Sequence, residues 1–225
     1  MPLPDTGIEF TVNTLGYFIN MVIGAAMTFG LCMDEQIHNI FDNNGTKMNI
    51  MFYDEEFTLI DIDDPEKIAY MVQSDNCSDG IVEPARIMES LKQKEQHLGV
   101  GNYNWGEVGS VFNMAKWCIY KSCSRESFEM VLGPNNYPII NRISQGKANI
   151  LQNLNINDPD SGTVKIFKIQ SDKLINREGI EKISKRTNID ISVNNSMLQK
   201  YDDNYNNPYI NSLKYKGELK LYGKY

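Results

Sequence analysis

Three aspartates stand close together at Asp61, Asp63 and Asp64, at the end of an apolar run that the sequence predicts to be a strand. Because side chains alternate along a strand, Asp61 and Asp63 would project from the same face. Two or three carboxylates fixed at a strand end can hold Mg²⁺ or Mn²⁺ for phosphoryl transfer. One hypothesis is therefore a metal-dependent nuclease or phosphotransferase in which Asp61 and Asp63, joined by Asp64, are the catalytic metal ligands.

A simpler interpretation of the same run is a solvated acidic turn that leads into a helix. An aspartate before a helix accepts hydrogen bonds from the free N–H groups of the first turn. Pro65 follows the run and suits the first helical position. We favour this interpretation, so the sequence assigns no catalytic residue, and we expect no cofactor unless the metal hypothesis holds.

Lysines and tyrosines interleave in residues 214–225. Lysines can neutralise phosphates and tyrosines can stack on exposed bases, so this run is a candidate binding site for nucleic acid. An edge strand is the alternative that we favour, because lysines on an edge resist unwanted strand pairing. The candidate binding residues are Lys214, Lys216, Lys220, Tyr222 and Lys224.

Charge is divided unevenly along the chain. Residues 1–91 contain 16 acidic and three basic side chains, whereas residues 92–225 contain 13 acidic and 19 basic ones, within a net charge of −7. Such asymmetry is informative about partners rather than about the fold. We expect either a polarised surface or docking of the two parts, with a lysine or arginine of residues 164–186 within about 4 Å of an acid of residues 54–66.

Charge segregation without a specific catalytic motif favours a non-catalytic interaction or assembly protein. Its charged surfaces would bind a protein partner or further copies of the same chain, and the basic C-terminal portion makes nucleic acid a further candidate partner. Charge complementarity steers and orients association more than it adds affinity. We therefore expect association that weakens as the salt concentration rises.

The four cysteines and two histidines of the chain provide no recognisable site. The cysteines are too few and too scattered for a disulfide scaffold, and their spacing matches neither a CxxC redox pair nor a zinc site. Neither histidine neighbours a motif typical of an activated nucleophile. Because no signal peptide is recognised, we expect reduced thiols and a cytoplasmic or otherwise reducing compartment.

Residues 15–33 form an apolar run that is long enough to span a bilayer as a helix. Acidic residues flank the run on both sides and no lysine or arginine precedes Lys47, so the positive-inside signal is missing. A helix that is apolar all round is buried. We expect a central core helix and consider membrane binding unlikely, with a protein anchored through residues 15–33 as the second alternative function.

A hydrophobic content of 41% and a charged content of 23% are typical of a folded chain. The pattern predicts an α+β fold, with a helix-rich N-terminal portion around the buried apolar helix and a smaller strand–helix–strand portion at the C-terminus. The predicted portions are residues 1–156 and 157–225, which can also form one continuous domain. The predicted strands are residues 48–53, 57–62, 164–169 and 189–193, and the predicted helices begin at Pro65 or span residues 83–97, 105–120, 139–154 and 172–187.

Overall fold

The computed structural model of the chain describes residues 29–81, 105–133, 138–170, 175, 180–181 and 189–198. Within these ranges it contains a mixed eight-stranded sheet, three α-helices and one short 3₁₀ turn at Pro65–Lys67. The helices are α1 (Phe29–Asp42), α2 (Trp105–Met114) and α3 (Gln145–Asn153). The strands are β1 (Lys47–Tyr53), β2 (Tyr70–Asp75), β3 (Ala115–Ser122), β4 (Arg125–Leu132), β5 (Pro138–Arg142), β6 (Thr163–Ile169), β7 (Asp190–Val193) and β8 (Ser196–Met197).

The strand order across the sheet is β5-β4-β3-β6-β2-β1-β7-β8. Neighbouring strands are antiparallel except for β1 and β7, which pair in parallel. Strand β6 enters between β3 and β2, so a strand from late in the chain lies beside strands from its first and middle thirds. Gly162 turns the chain into β6 with a φ of +75°, and a Cβ there would meet the Asp75 carbonyl oxygen of β2.

Helices α1 and α2 pack against each other and cover one face of the sheet, which we call the helix-pair face. In α1 the buried side chains recur with helical spacing at Cys32, Met33, Ile37 and Ile40, so one stripe of the helix faces the core. The helix ends at Asp42, and three residues later the N–H of Gly45 donates to the Ile40 carbonyl at 2.8 Å. A side chain at this position would clash with Ile40.

The opposite face, which we call the α3 face, carries a separate apolar cluster. Leu151 and Leu154 pack there against Val72, Ile119 and Ile166 of the sheet. Because both faces are covered in this region, the central strands bury side chains on both sides.

The expectation of a chain that mixes helices and strands is confirmed, but the helix-rich N-terminal portion is wrong for the described residues. The described part of residues 1–156 contains five strands, which form most of the sheet. The strands predicted at residues 48–53, 164–169 and 189–193 are confirmed. The division of the chain after residue 156 stays a prediction, although strands from both sides of it share the sheet.

Two long predicted helices are wrong because each contains a strand. The helix predicted over residues 105–120 ends at Met114. At this end the Gln170 side chain donates to the carbonyls of Phe112 and Ala115, and the Gln170 backbone N–H donates to the Met114 carbonyl. Strand β3 follows directly. The helix predicted over residues 139–154 is strand β5 followed by α3.

The segment between β1 and β2 also differs from its prediction. Residues 57–62 make a single bridge, Tyr53 to Leu59, instead of a strand. Pro65 does begin a helical segment, but it is a single 3₁₀ turn, and the chain then enters β2. The helix predicted over residues 83–97 and most of those over 15–33 and 172–187 lie outside the described residues.

Candidate functional site

Residues 54–66, which we call the acidic loop, connect β1 to β2 at one end of the sheet. Seven of these thirteen residues are acidic, and six of the seven acidic side chains are exposed. The exposed acids are Glu55, Glu56, Asp61, Asp63, Asp64 and Glu66.

Two aspartates fix the backbone of the acidic loop from within. Asp54 Oδ1 accepts hydrogen bonds from the N–H groups of Glu56 and Thr58, at 3.0 and 2.7 Å. Asp61 Oδ1 accepts one from the N–H of Asp63 at 3.1 Å. Such local bonds stabilise turns in competition with strand pairing, which explains why residues 57–62 are not a strand.

The rest of the protein also holds the acidic loop in place. The Ile60 N–H donates to the Phe52 carbonyl at 2.8 Å, and Asn194 Nδ2 donates to the Ile60 carbonyl at 2.9 Å. Ile62 is buried in the main core. The loop is therefore an ordered platform that keeps its acids in solvent while its backbone and apolar side chains are bound to the sheet.

Lys168 of β6 joins the acidic loop to the later, basic part of the sequence. Its Nζ lies 2.6 Å from Glu55 Oε1 and 4.1 Å from the centre of the Tyr70 ring. Phe57 stacks on the same ring, with centroids 5.2 Å apart. A lysine of residues 164–186 thus contacts an acid of residues 54–66, as the docking alternative in the sequence analysis expected.

The three aspartates of the metal hypothesis lie on the exposed surface of the acidic loop. Asp61 closes the local turn described above, and Asp64 Oδ2 is 3.2 Å from the Lys67 ammonium. Among the described residues there is no group of three acidic, histidine or cysteine side chains that could hold a metal ion. The metal hypothesis stays a prediction.

A second set of polar residues lies inside the protein, between the helix-pair face of the sheet and the two helices. The Glu107 carboxylate of α2 is at its centre, and Lys165 Nζ lies 2.9 Å from its Oε1 and 2.8 Å from its Oε2. We call this set the buried cluster. Its members are Gln36 and Asn39 of α1, Glu107 and Ser110 of α2, Tyr120 of β3 and Lys165 of β6.

Every charged group in the buried cluster is hydrogen bonded. Tyr120 donates its hydroxyl to Glu107 Oε1 at 2.7 Å, and the side-chain amides of Gln36 and Asn39 donate to Oε2, each at 2.9 Å. Lys165 also donates to Gln36 Oε1 at 2.8 Å. An ion pair buried in this way is tolerated because the hydrogen bonds replace the lost hydration of both charges.

The buried cluster shifts several pKa values away from those of a nucleophilic site. Burial raises the pKa of Glu107, but the Lys165 charge and the hydrogen bonds from Lys165, Tyr120 and Gln36 outweigh it, so the net shift is downward. Burial, together with nearby Glu107, raises the pKa of the Cys118 thiol and of the Tyr120 hydroxyl well above their usual ranges. Both groups stay protonated, and a buried thiol in this state is inert.

Sequence reasoning did not identify the buried cluster. A signal was present, because Glu107 interrupts the apolar stripe of α2 and Lys165 interrupts the apolar alternation of β6. A charged residue at a core position indicates a buried partner of opposite charge. That Glu107 and Lys165 are each other's partner follows from the packing of α2 against β6, which no local sequence pattern predicts.

An open surface depression of about 490 Å³ lies beside α3 on the α3 face. Leu151 and Ile156 line its apolar part, and Ser127 and Gln152 contribute polar groups. Lys121, the charged side chain that lines it, already donates to the Ile156 carbonyl and pairs with Asp158 at 3.1 Å. No cation is therefore left unpaired for an anionic ligand in this depression.

Lys147 and Glu129 form a partly covered pair on the same face. Lys147 Nζ lies 3.0 Å from Glu129 Oε2 and 4.8 Å from the centre of the Trp117 ring. The distance is that of an ion pair, although this oxygen receives no hydrogen bond of acceptable geometry. The two charges attract each other at this distance, because an ammonium needs no fixed hydrogen-bond angle to attract a carboxylate.

Residues 214–225, which contain the predicted binding residues Lys214, Lys216, Lys220, Tyr222 and Lys224, lie outside the described part. In the part that is described, no helix has the length and apolar character needed to cross a membrane.

Neither a protein-family model nor a curated protein sequence matches this chain.

Proposed function

We propose that this chain is a non-catalytic interaction protein whose acidic loop binds a basic macromolecular surface, on a protein partner or on another copy of the chain. The observation that carries the proposal is the ordered backbone of residues 54–66 beneath six exposed carboxylates. A surface that is ordered before binding loses little conformational entropy on association.

The charges around the acidic loop support a cationic partner. Lys67 pairs with Asp64 and Lys168 pairs with Glu55, which is two lysines against seven acids of the loop. The exposed acids of the loop repel one another, and a basic partner would relieve that repulsion. Binding of this kind is expected to be steered by charge and weakened by salt.

The test compares two double variants that remove the same charge from opposite ends of the sheet. E56Q/E66Q neutralises two exposed acids of the acidic loop, and D79N/D160N neutralises two exposed acids beyond β2 and before β6. Self-association is measured by sedimentation velocity, and binding to a lysine-rich peptide by fluorescence anisotropy. Both are measured from about 0.1 M to about 1 M NaCl, over which the screening length falls from ~10 Å to ~3 Å.

We expect the wild type and D79N/D160N to associate similarly at low salt and E56Q/E66Q to associate several-fold more weakly. Association that is indifferent to salt, or that both variants weaken equally, would contradict the proposal. Binding to the peptide without self-association would assign the acidic loop to a different partner rather than to copies of the chain.

The metal-dependent nuclease or phosphotransferase remains the rival proposal, and it makes a separate prediction for Asp61 and Asp63. Under it, D61N/D63N would abolish a stoichiometric Mn²⁺ binding signal in calorimetry, whereas E56Q/E66Q would leave that signal in place. The interaction proposal expects no such signal in the wild type.

A further inference from the structure

Gln73 is a polar side chain placed in the core of the protein. It lies on β2, directly opposite Ile50 of β1 and Lys165 of β6. Its side chain is completely buried. Among the described residues, neither its Oε1 nor its Nε2 has a hydrogen-bond partner.

An amide in this position requires a partner. Its nitrogen carries two donors and its oxygen two lone pairs. Leaving such a group unpaired in the core forfeits its hydration without replacement, and buried polar groups in native proteins are nearly always satisfied by protein or by ordered water.

The buried cluster lies beside Gln73 in the sheet, because Lys165 is its cross-strand neighbour. Cross-strand neighbours bring the Cβ atoms of Gln73 and Lys165 to about 5 Å, and Lys165 Nζ reaches Gln36 Oε1 at 2.8 Å. Both donors of Gln36 are already used, by Glu107 Oε2 and by the Ser110 hydroxyl. Its Oε1 accepts from Lys165 and retains one lone pair.

We propose that Gln73 binds one ordered water molecule inside the protein, between β2 and the buried cluster. The water accepts a hydrogen bond from Gln73 Nε2 and donates one to Gln73 Oε1, so it satisfies both unpaired atoms with two of the two to four hydrogen bonds that internal waters make. This site is independent of the function proposed for the acidic loop.

The charges of the buried cluster select water over other small ligands. Lys165 and Glu107 already neutralise each other, so a cation would meet the ammonium and an anion would meet the carboxylate. Gln36, Gln73 and Lys165 are all buried, which restricts the site to a molecule of the smallest size. Water is neutral and both donates and accepts.

The wild-type protein tests the site directly. Selective ¹⁵N labelling of glutamine and water-selective NOE and ROE spectra report whether the Gln73 side-chain amide contacts a long-lived water. Gln152, whose side chain is exposed, is the reference for contact with bulk solvent. We expect a long-lived water signal at Gln73 and a short-lived one at Gln152.

The variant Gln73→Leu gives a second readout, because leucine has a similar size and needs no partner. If water satisfies the amide, Q73L loses those hydrogen bonds, and its unfolding equilibrium constant rises by about threefold or more. Loss of the Gln73 signal in Q73L confirms its assignment. The absence of a long-lived water at Gln73 in the wild type overturns the proposal, and so does a Q73L protein that is more stable than the wild type; if Q73L does not fold, the wild-type spectra decide.

Discussion

Lys165 and Lys168 lie on the same strand, face opposite sides of the sheet and each pair with a glutamate from an earlier part of the chain. Lys165 and Glu107 are almost completely covered, with side-chain exposures of 7% and 5%. Lys168 is 15% exposed but its partner Glu55 is 66% exposed. Two ion pairs of similar length therefore stand in very different surroundings.

The difference lies in what else contacts each carboxylate. Glu107 accepts from an ammonium, a phenol and two amides, and these donors come from α1, β3 and β6. In the hydrogen bonds of the described residues, Glu55 accepts from Lys168. The buried pair is thus one part of a connected network, whereas water can replace either partner of the surface pair.

This comparison shows why charge counted along the sequence does not measure stabilisation. The surface pair joins the acidic first part of the chain to its basic remainder, and the buried pair joins two residues of the basic remainder to each other. An exposed pair contributes ~0–1 kcal/mol, whereas breaking a buried pair by removing one partner costs about 3–5 kcal/mol. The larger loss of stability is therefore expected at the buried pair, which the distribution of charge along the sequence did not indicate.

The largest effect is expected for Lys165→Met, with Lys168→Met as its matched control on the same strand. K165M leaves the Glu107 carboxylate buried without its cation and should lower the free energy of unfolding by about 3–5 kcal/mol. K168M should lower it by no more than ~1–2 kcal/mol, from the exposed pair and the ring contact together. Urea denaturation followed by circular dichroism measures both.

A double variant provides a second test in case the K165M protein does not fold. K165M/E107Q removes both charges, and the new amide oxygen can still accept from Tyr120. We expect it to be more stable than K165M alone, since the penalty of K165M is mainly that of an unpaired buried charge. Equal losses in K165M and K168M would show that the buried network has no special contribution.

Sequence reasoning located the strands whose pattern was clear and failed where both faces of a strand are covered. Strands β1, β6 and β7 were predicted from short apolar runs between turn signals. In β3, Trp117 and Ile119 lie on the α3 face, whereas Cys118 and Tyr120 lie on the helix-pair face. With apolar residues on both faces, the two-residue period disappears and the run resembles the wide apolar face of a helix.

The acidic loop could be foreseen from the sequence better than the buried cluster. Its seven acids lie within thirteen residues, and the charge pattern predicted contact with residues 164–186 as one of two alternatives. The buried cluster joins residues 36, 107, 120 and 165, which the topology brings together by placing β6 beside β3 and both helices on the same face. No local pattern encodes that placement.

A smaller effect is expected from removing a single donor of the buried network. Tyr120→Phe deletes the 2.7 Å hydrogen bond to Glu107 Oε1 and keeps the ring that stacks on Phe128. A hydrogen bond to a charged group contributes about 1.5–3 kcal/mol, and Lys165 still pairs with the carboxylate, so we expect a loss near the lower end. Tyr70→Phe, on the α3 face, is the control and should change stability little.

The pH dependence of stability is expected to differ between the two lysine variants as well. The folded-state pKa of Glu107 is lowered from its ordinary value of 4.5, so its contribution to stability is present above that pH and is lost as the pH falls through the folded value. One group gives a slope of at most about 1.4 kcal/mol per pH unit. We expect a shallower or reversed slope in K165M, because burial then raises the pKa of Glu107. An acid-induced loss that is the same in K165M and K168M would contradict this assignment.

The smallest change in stability is expected when the two contacts of Lys168 are removed separately. Glu55→Gln removes the ion pair but leaves the ammonium over the Tyr70 ring at 4.1 Å, whereas K168M removes both contacts. We expect E55Q to lower the free energy of unfolding by ~0–1 kcal/mol at low salt and by less near 1 M salt, where the screening length is about 3 Å. K168M should cost a further ~0.5–1 kcal/mol that salt removes less readily, because the ring and the ammonium are in direct contact. Parallel urea titrations at both salt concentrations measure the difference, and equal losses for E55Q and K168M at each of them would show that the ring adds nothing to the exposed pair.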